Sequence, residues 1–405
     1  MALKGKLLVG QSGGPTAVIN ASLAGVVEEA RRHSEIEAVY GMVHGVQGFL
    51  EEEAIDLSGQ PEEVISLLPG TPAAALGSCR RKLSEADYDR LIELFKAHEI
   101  RYLCYIGGND SADTSHKIGQ LAAKAGWEMR VVGVPKTVDN DLGYTDHCPG
   151  YGSVARFNAM AVRDAGRDSL AMCTVTPVKI IETMGRNAGW ITASTALARE
   201  EPGDAPHLIY LPERVFDTGQ FLADTKAQLG QGRGCVIAVC EGLKDEEGRP
   251  IVQSTKSTDV DAFGHGQLGG IGDYLQQFVS EELGVKARAN KAGTFQRAFG
   301  SLQSEVDVAE AKMAGAAAVE RACEGVTDQM ITLERVSNDP YRCETGLAAL
   351  EAVANAERPV PAEYINEAGN DVTEAFIEYA RPLIGGPLPP YARLVAKPVA
   401  KRLGS

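Results

Sequence analysis

No apolar run in the 405-residue chain approaches the ~18–20 residues that a membrane-crossing helix requires. The opening residues hold too short an apolar stretch for a secretion signal. The eight cysteines form no C-x-x-C pair, and the seven histidines show no metal-site spacing. Neither a disulfide framework nor structural zinc is therefore expected, and the plain reading is a reduced, cytoplasmic chain. Positive charge is also scarce. Forty Lys+Arg stand against 55 Asp+Glu, for a net charge of −15, which argues against nucleic acid or an anionic membrane as partner. No Gly-Lys-[Ser/Thr] loop of the Walker type is present, which removes the commonest nucleotide cradle.

What the chain has is an ordinary globular balance, 44% hydrophobic and 23% charged, enough to bury the cores of two or three domains. It also has 44 glycines, well above the ~7% of an average chain. Glycine-rich turns let backbone N–H groups approach an anion.

The first 145 residues repeat one theme of buried strand, Gly- or Pro-containing turn, and helix. Lys6–Gly10 reads as a strand, followed by a turn through Gly13, Gly14 and Pro15 and a helix over 16–32. Ser84 with Asp87 three residues on reads as the start of another helix. Tyr102–Ile106 and Val131–Val134 are further strands. A second set follows, with strands at 171–182, His207–Leu211 and Cys235–Cys240 between helices at 153–167, 188–199 and 217–229. Residues 243–270 read as a polar surface insertion, 307–324 as an Ala-rich helix, and the Pro-rich last ~60 residues as a wrapping tail. Alternation of this kind predicts an α/β fold with a mainly parallel sheet and helices on both faces. Chemistry then sits at the carboxyl ends of the strands, where the turns after Gly10, Ile106 and Val134 can share one crevice.

Three turns carry candidate chemistry. Gly13-Gly14-Pro15 is either a plain tight turn or a phosphate contact. In Gly107-Gly108-Asn109-Asp110-Ser111, the oxygens of Asn109 and Asp110 are hard ligands suited to magnesium, or else the turn caps the next helix. The segment 135–141 places Lys136, Thr137, Asp139 and Asp141 directly after a buried strand. Asp139 and Asp141 are two apart, so in extended chain they share a face, and like charges that close raise a pKa toward general-base range. Lys136 is free to hold a phosphate while Asp139 addresses a hydroxyl.

With these residues the chain resembles the phosphofructokinase family, most closely its pyrophosphate-dependent branch. The likeness runs over roughly 5–335. It is carried by Ser12-Gly13-Gly14, Leu76–Arg80, the Gly-Gly-Asn-Asp-Ser turn, 135–141, Met184-Gly185-Arg186, the strand ending in Glu241, and Gly293–Arg297. The resemblance implies two Rossmann-like three-layer α/β/α domains with the active site in the cleft between them. Residues 1–150 plus about 295–345 would bind the phosphoryl donor, and about 151–294 plus 346–405 the sugar. It further implies phosphoryl transfer from pyrophosphate to fructose 6-phosphate, with Mg2+, in a homo-oligomer (dimer or tetramer). On matching positions, Asp139 resembles the base, with Lys136 and Arg186 as its catalytic companions. Gly14, Arg80, Asp110 and Lys136 fall on the donor side, and Thr137, Met184, Gly185, Arg186, Glu241 and Arg297 on the sugar-phosphate side; Lys291, by its nearness to the segment Thr294–Arg297, is a further candidate for the substrate phosphate. Arg288 matches a ligand that reaches in from a neighbouring subunit, and the metal falls to Asp110 and Asn109.

Asp110 and Lys136 stand where ATP-dependent members carry glycine. A carboxylate there repels an α-phosphate, and a fixed ammonium neutralises a short inorganic donor. Two departures leave other readings open, an ATP-dependent enzyme or a non-catalytic sugar-phosphate binder. Asn109 replaces the usual metal-binding Asp. An across-interface Arg expected near Pro177 is missing, with Lys179 close by.

Overall fold

The computed structural model describes residues 3–252, 270–354, 356–395 and 397–402. Most of the surface insertion expected over 243–270 thus lies outside the described residues. Eleven strands are described: β1 (Gly5–Gln11), β2 (Ile36–Met42), β3 (Ala54–Asp56), β4 (Ile100–Gly107), β5 (Arg130–Pro135), β6 (Val178–Thr183), β7 (Leu208–Tyr210), β8 (Cys235–Cys240), β9 (Ala287–Lys291), β10 (Gln329–Asn338) and β11 (Tyr341–Ala349). They form two sheets. The larger runs β11-β10-β5-β4-β1-β2-β3 and the smaller β7-β8-β6-β9. The smaller sheet is parallel throughout, and the larger is parallel except at its edges, where β3 and β11 run antiparallel to β2 and β10.

The larger sheet is covered on both faces because its strands are apolar on both. Along β1, Leu7 and Val9 face one core with Ile19, Leu23 and Val27 of the helix Ile19–Ala30, while Leu8 faces the other with Leu91 and Phe95 of the helix Glu85–Ala97. Residues two apart share a face, so a continuous apolar run is what a doubly covered strand requires. Ser84 closes a reciprocal cap with Asp87, as its spacing predicts.

Other expectations are adjusted. The helix expected over 16–32 begins at Ile19, because the turn after β1 continues through Thr16. The helix Tyr151–Ala171 runs past the expected end at 167, so β6 starts only at Val178, beyond Pro177. Strand β11 stays paired with β10 to Ala349.

Strand order positions the site. β1 lies between β2 and β4, so the chain crosses to opposite sides of β1 and opens a crevice at its carboxyl end. Register sets Gln11 beside Ile106 and Gly107 beside Pro135, which aligns the three candidate turns. The helix Ile19–Ala30 is held over the sheet by the helix Glu305–Cys323. A Cβ on Gly25 would stand 2.1 Å from the Lys312 carbonyl oxygen, and one on Gly315 2.1 Å from that of Ser22. The two helices therefore meet backbone to backbone. Gly315→Ala is expected to lower the unfolding free energy by about 1–3 kcal/mol through overpacking, read by chemical denaturation. An unchanged midpoint would show that the crossing is loose.

Candidate active site

The turn after β1 is shaped by its glycines. Ser12 N donates to Ile106 O at 3.0 Å, Gly13 adopts φ 75°, and Gly13 N donates to Cys79 O at 3.1 Å. Ser78 Oγ donates to Gly13 O at 2.6 Å, so the segment 76–80 backs the loop. Lys136 Nζ donates to Gly14 O at 2.9 Å, and a Cβ on Gly13 would lie 3.2 Å from that ammonium. A Cβ on Gly14 would lie 2.7 Å from Arg297 Nη1 and 3.6 Å from Arg80 Nη2. Three cations converge on this loop, and any side chain here would take their place.

Facing them is a group of carboxylates. Asn109 and Asp110 open the helix Asn109–Lys124, and Asn109 Nδ2 donates to Ala356 O at 2.6 Å. Thr137 Oγ1 accepts from Asp139 N at 3.1 Å. Between the two aspartates, Asn140 sits at φ 55°, the left-handed region that Asn tolerates better than most residues. Asp139 Oδ1 and Asp141 Oδ1 are both buried and accept no hydrogen bond. Burial above all, then the charges of Asp141 and Glu241, pushes the Asp139 carboxyl up to about 7, against the pull of Lys136 and Arg297. Burial also raises Asp141, opposed by the Thr137 hydroxyl. Lys136 is lowered to about 8 by burial, resisted by Asp139 and Asp141.

The second sheet supplies the far wall. Gly185, just past β6, has φ 128°, and a Cβ there would meet Ala188 O at 2.7 Å. Its N–H donates to Glu241 Oε1 at 3.2 Å, and Met184 N donates to Gln296 Oε1 at 3.3 Å. Burial raises the Glu241 carboxyl, offset in part by that backbone hydrogen bond. Met184, Gly185, Glu241 and Arg186 line one cleft of about 750 Å³ together with Gly14, Arg80, Asn109, Asp110, Lys136, Thr137, Asp139, Asp141 and Arg297.

Lys291 lies outside this cleft, and so does Arg288, as a residue matched to a neighbouring subunit's site would. Both are exposed on β9. Lys291 Nζ is paired with Asp273 at 2.5 Å and lies 4.0 Å from Glu182. Lys179, aligned with Arg288 across β6 and β9, is buried and bound to Asp168 and to Ala165 O. Arg297, expected on the sugar phosphate, lines the cleft with its guanidinium against the Gly14 loop. The sequence reading missed Cys79, Asn187, Ala356 and Glu357, which also line the cleft. Asn187 Nδ2 lies 3.3 Å from Glu357 Oε1. No local pattern marks the short stretch around Ala356, so only its tertiary position reveals it.

The residues present fit a hard divalent cation. Asp141, one of whose oxygens is buried and accepts no hydrogen bond, lines the same cavity as Asp110 and Asn109, and together they offer an all-oxygen donor set.

The phosphofructokinase family model matches residues 6–322. The chain is 42% identical to the pyrophosphate–fructose 6-phosphate 1-phosphotransferase of Xanthomonas campestris pv. campestris (strain B100), covering 98% of each chain. It is 44% identical to the protein of that name from Halomonas elongata, over 96% of this chain and 94% of that one. The crystal structure of the pyrophosphate-dependent phosphofructokinase from Marinobacter aquaeolei superposes with a TM-score of 0.86 at 39% identity, covering 98% of this chain and all of that one.

The buried carboxyl leaves a signature in stability. In the folded protein Asp139 holds its proton to about 7, whereas the free carboxyl releases it near 3.8. The folded state thus binds a proton that the unfolded chain has lost, and stability falls as pH rises between those values. Asp139→Asn removes this dependence. The variant's melting temperature minus the parent's is expected to be near zero at about pH 4, to grow toward about pH 7, and to level off above. A pH-independent difference would contradict the buried charge.

Proposed function

The chain belongs to the phosphofructokinase family, and from that premise we infer that it transfers a phosphoryl group from pyrophosphate to the 1-hydroxyl of fructose 6-phosphate. The products are fructose 1,6-bisphosphate and phosphate. The chain is a phosphotransferase with the phosphofructokinase fold. The observation that carries this reading is the seating of Lys136 and Asp139 on one cleft, the ammonium on the glycine loop and the carboxylate beside it.

Asp139 takes the proton of the sugar hydroxyl. The freed oxygen attacks the nearer phosphorus of pyrophosphate, a new O–P bond forms, the bridging P–O bond breaks, and phosphate departs. Lys136, Arg80 and Arg297 hold the donor oxygens and neutralise the departing phosphate. Such transfer needs little covalent help and much charge placement, which is what the cleft offers. With its carboxyl raised to about 7, Asp139 accepts the proton in this direction and returns it in reverse, as microscopic reversibility requires of one base. Arg186, Met184, Gly185 and Glu241 hold the sugar from the β6 and β8 ends. Asp110 and Asn109, with Asp141 beside them, would hold magnesium, which when bound screens the charge shared by the donor's oxygens.

Pyrophosphate is favoured over ATP by Asp110, a carboxylate at the first turn of the helix Asn109–Lys124, and by Lys136, whose ammonium fills the space over Gly13. The larger sheet and its helices would serve the donor and the smaller sheet the sugar, with Arg288 offered to a neighbouring subunit of a cytoplasmic homo-oligomer.

A donor-by-acceptor activity matrix tests the assignment. Turnover is expected with pyrophosphate and little with ATP; the opposite result overturns it. Asp110→Gly combined with Lys136→Gly should lose pyrophosphate turnover, and unchanged kinetics would remove both residues from donor selection. Asp139→Asn is expected to lower kcat by about 10²–10⁴-fold while sugar-phosphate binding stays measurable, and near-parental turnover would remove Asp139 as the base.

A further inference from the structure

We propose that Arg358, from the Pro-rich C-terminal segment, is a positioning residue for the catalytic carboxylates, which it holds through the backbone of the loop 139–146. The proposal rests on the reading of Asp139 as the base.

Neither Arg358 nor its partner Tyr379 lines the cleft. Arg358 is largely buried, and its guanidinium is spread over main-chain carbonyls of the loop. Nη2 donates to Asn140 O at 3.0 Å and Nε to the same oxygen at 3.3 Å. Nη1 donates to Thr145 O at 2.9 Å and also to Asp146 O. The backbone joins in, since Arg358 N donates to Asp141 O at 2.7 Å. The guanidinium stacks 4.6 Å from the Trp190 ring, whose Nε1 donates to Arg358 O at 2.9 Å, so the clamp is itself held.

Tyr379 completes it. Its hydroxyl donates to Asp146 O at 2.8 Å and accepts from Asn140 Nδ2 at 2.9 Å. Asn140 Oδ1 accepts from Cys148 N at 3.0 Å. The residue between Asp139 and Asp141 is thus fixed through its carbonyl and both ends of its amide while its backbone sits at φ 55°. An unusual backbone conformation persists only where its surroundings over-determine it. Here that conformation sets the directions of the two carboxylates on either side. A planar fork with five N–H groups reaches several carbonyls at once, which a lysine ammonium does not reproduce.

The test uses the full-length protein with Arg358→Lys and Tyr379→Phe. The tyrosine change deletes one hydroxyl and keeps the ring, so it remains informative should the arginine variant misfold. In Arg358→Lys, amide exchange over 138–146 is expected to rise by about tenfold or more while β5 and the helix Tyr151–Ala171 keep parental protection. A misplaced reacting group should lower kcat by about 100-fold, with KM for fructose 6-phosphate within about threefold of the parent. Tyr379→Phe is expected to move both readouts the same way and less far. Added guanidinium should restore part of kcat to Arg358→Ala, and ammonium should not. Parental exchange over 138–146 with kcat within about twofold in both variants would overturn the clamp, as would a loss of kcat accompanied by loosening of the whole chain. An Asp139→Asn control separates the two claims. If that variant turns over normally, the base assignment fails, while the exchange result still decides whether Arg358 fixes the loop.

Discussion

The site depends on opposite charges held apart inside a low-dielectric cleft. Lys136 is 4% exposed, and its ammonium is anchored to the Gly14 carbonyl. Asp139 and Asp141 stand within electrostatic reach, each with an unpaired oxygen. Burial disfavours charge on all three, and each partner's opposite charge resists that penalty. The balance leaves a lysine lowered to about 8 facing an aspartate raised to about 7. Both groups therefore change charge near neutrality, where a reversible proton and phosphoryl exchange has use for them. The rest of the fold serves to keep this arrangement dry and aligned.

Alignment comes from two distant parts of the chain. Strand register in the larger sheet delivers the glycine loop, the Asn109–Asp110 turn and Lys136 side by side. The C-terminal segment then returns to wall the same cleft, through the Ala356 carbonyl on Asn109 and Glu357 near Asn187. The Ala356 contact also accounts for an amide at position 109. Asn109 donates a hydrogen to that carbonyl, whereas a carboxylate would set negative charge against an oxygen lone pair.

Much of this was legible in the sequence because strand-end chemistry is local. Lys136 and Asp139 follow a buried strand within a few residues, and Gly13, Gly14, Met184, Gly185 and Glu241 lie at strand ends in the same way. Ser84 and Asp87 likewise announced their cap. What escaped shares the opposite property. Strands β2 and β9 have too many polar or exposed positions to read as buried strands. Ala356, Glu357, Arg358 and Tyr379 come from the Pro-rich last part of the chain, and the site residues they touch, Asn109, Asn187 and Asn140, lie about 170 residues or more away in the chain. Placement of Arg297 was also beyond local reading. How close its guanidinium comes to the Gly14 loop is decided by how the chain folds back, not by its neighbours.

That placement has a consequence for folding. Arg297, Arg80 and Lys136 crowd two glycines, and the Arg297 guanidinium is lowered by burial and by Arg80. Mutual repulsion among the three weakens the native state on its own account. Any small polyanion settling among them cancels that repulsion and binds only the folded form, so mass action ties the chain's heat resistance to the phosphate content of its surroundings. The protein would be sturdiest when its metabolite pool is full, and most open to proteolysis when that pool runs down.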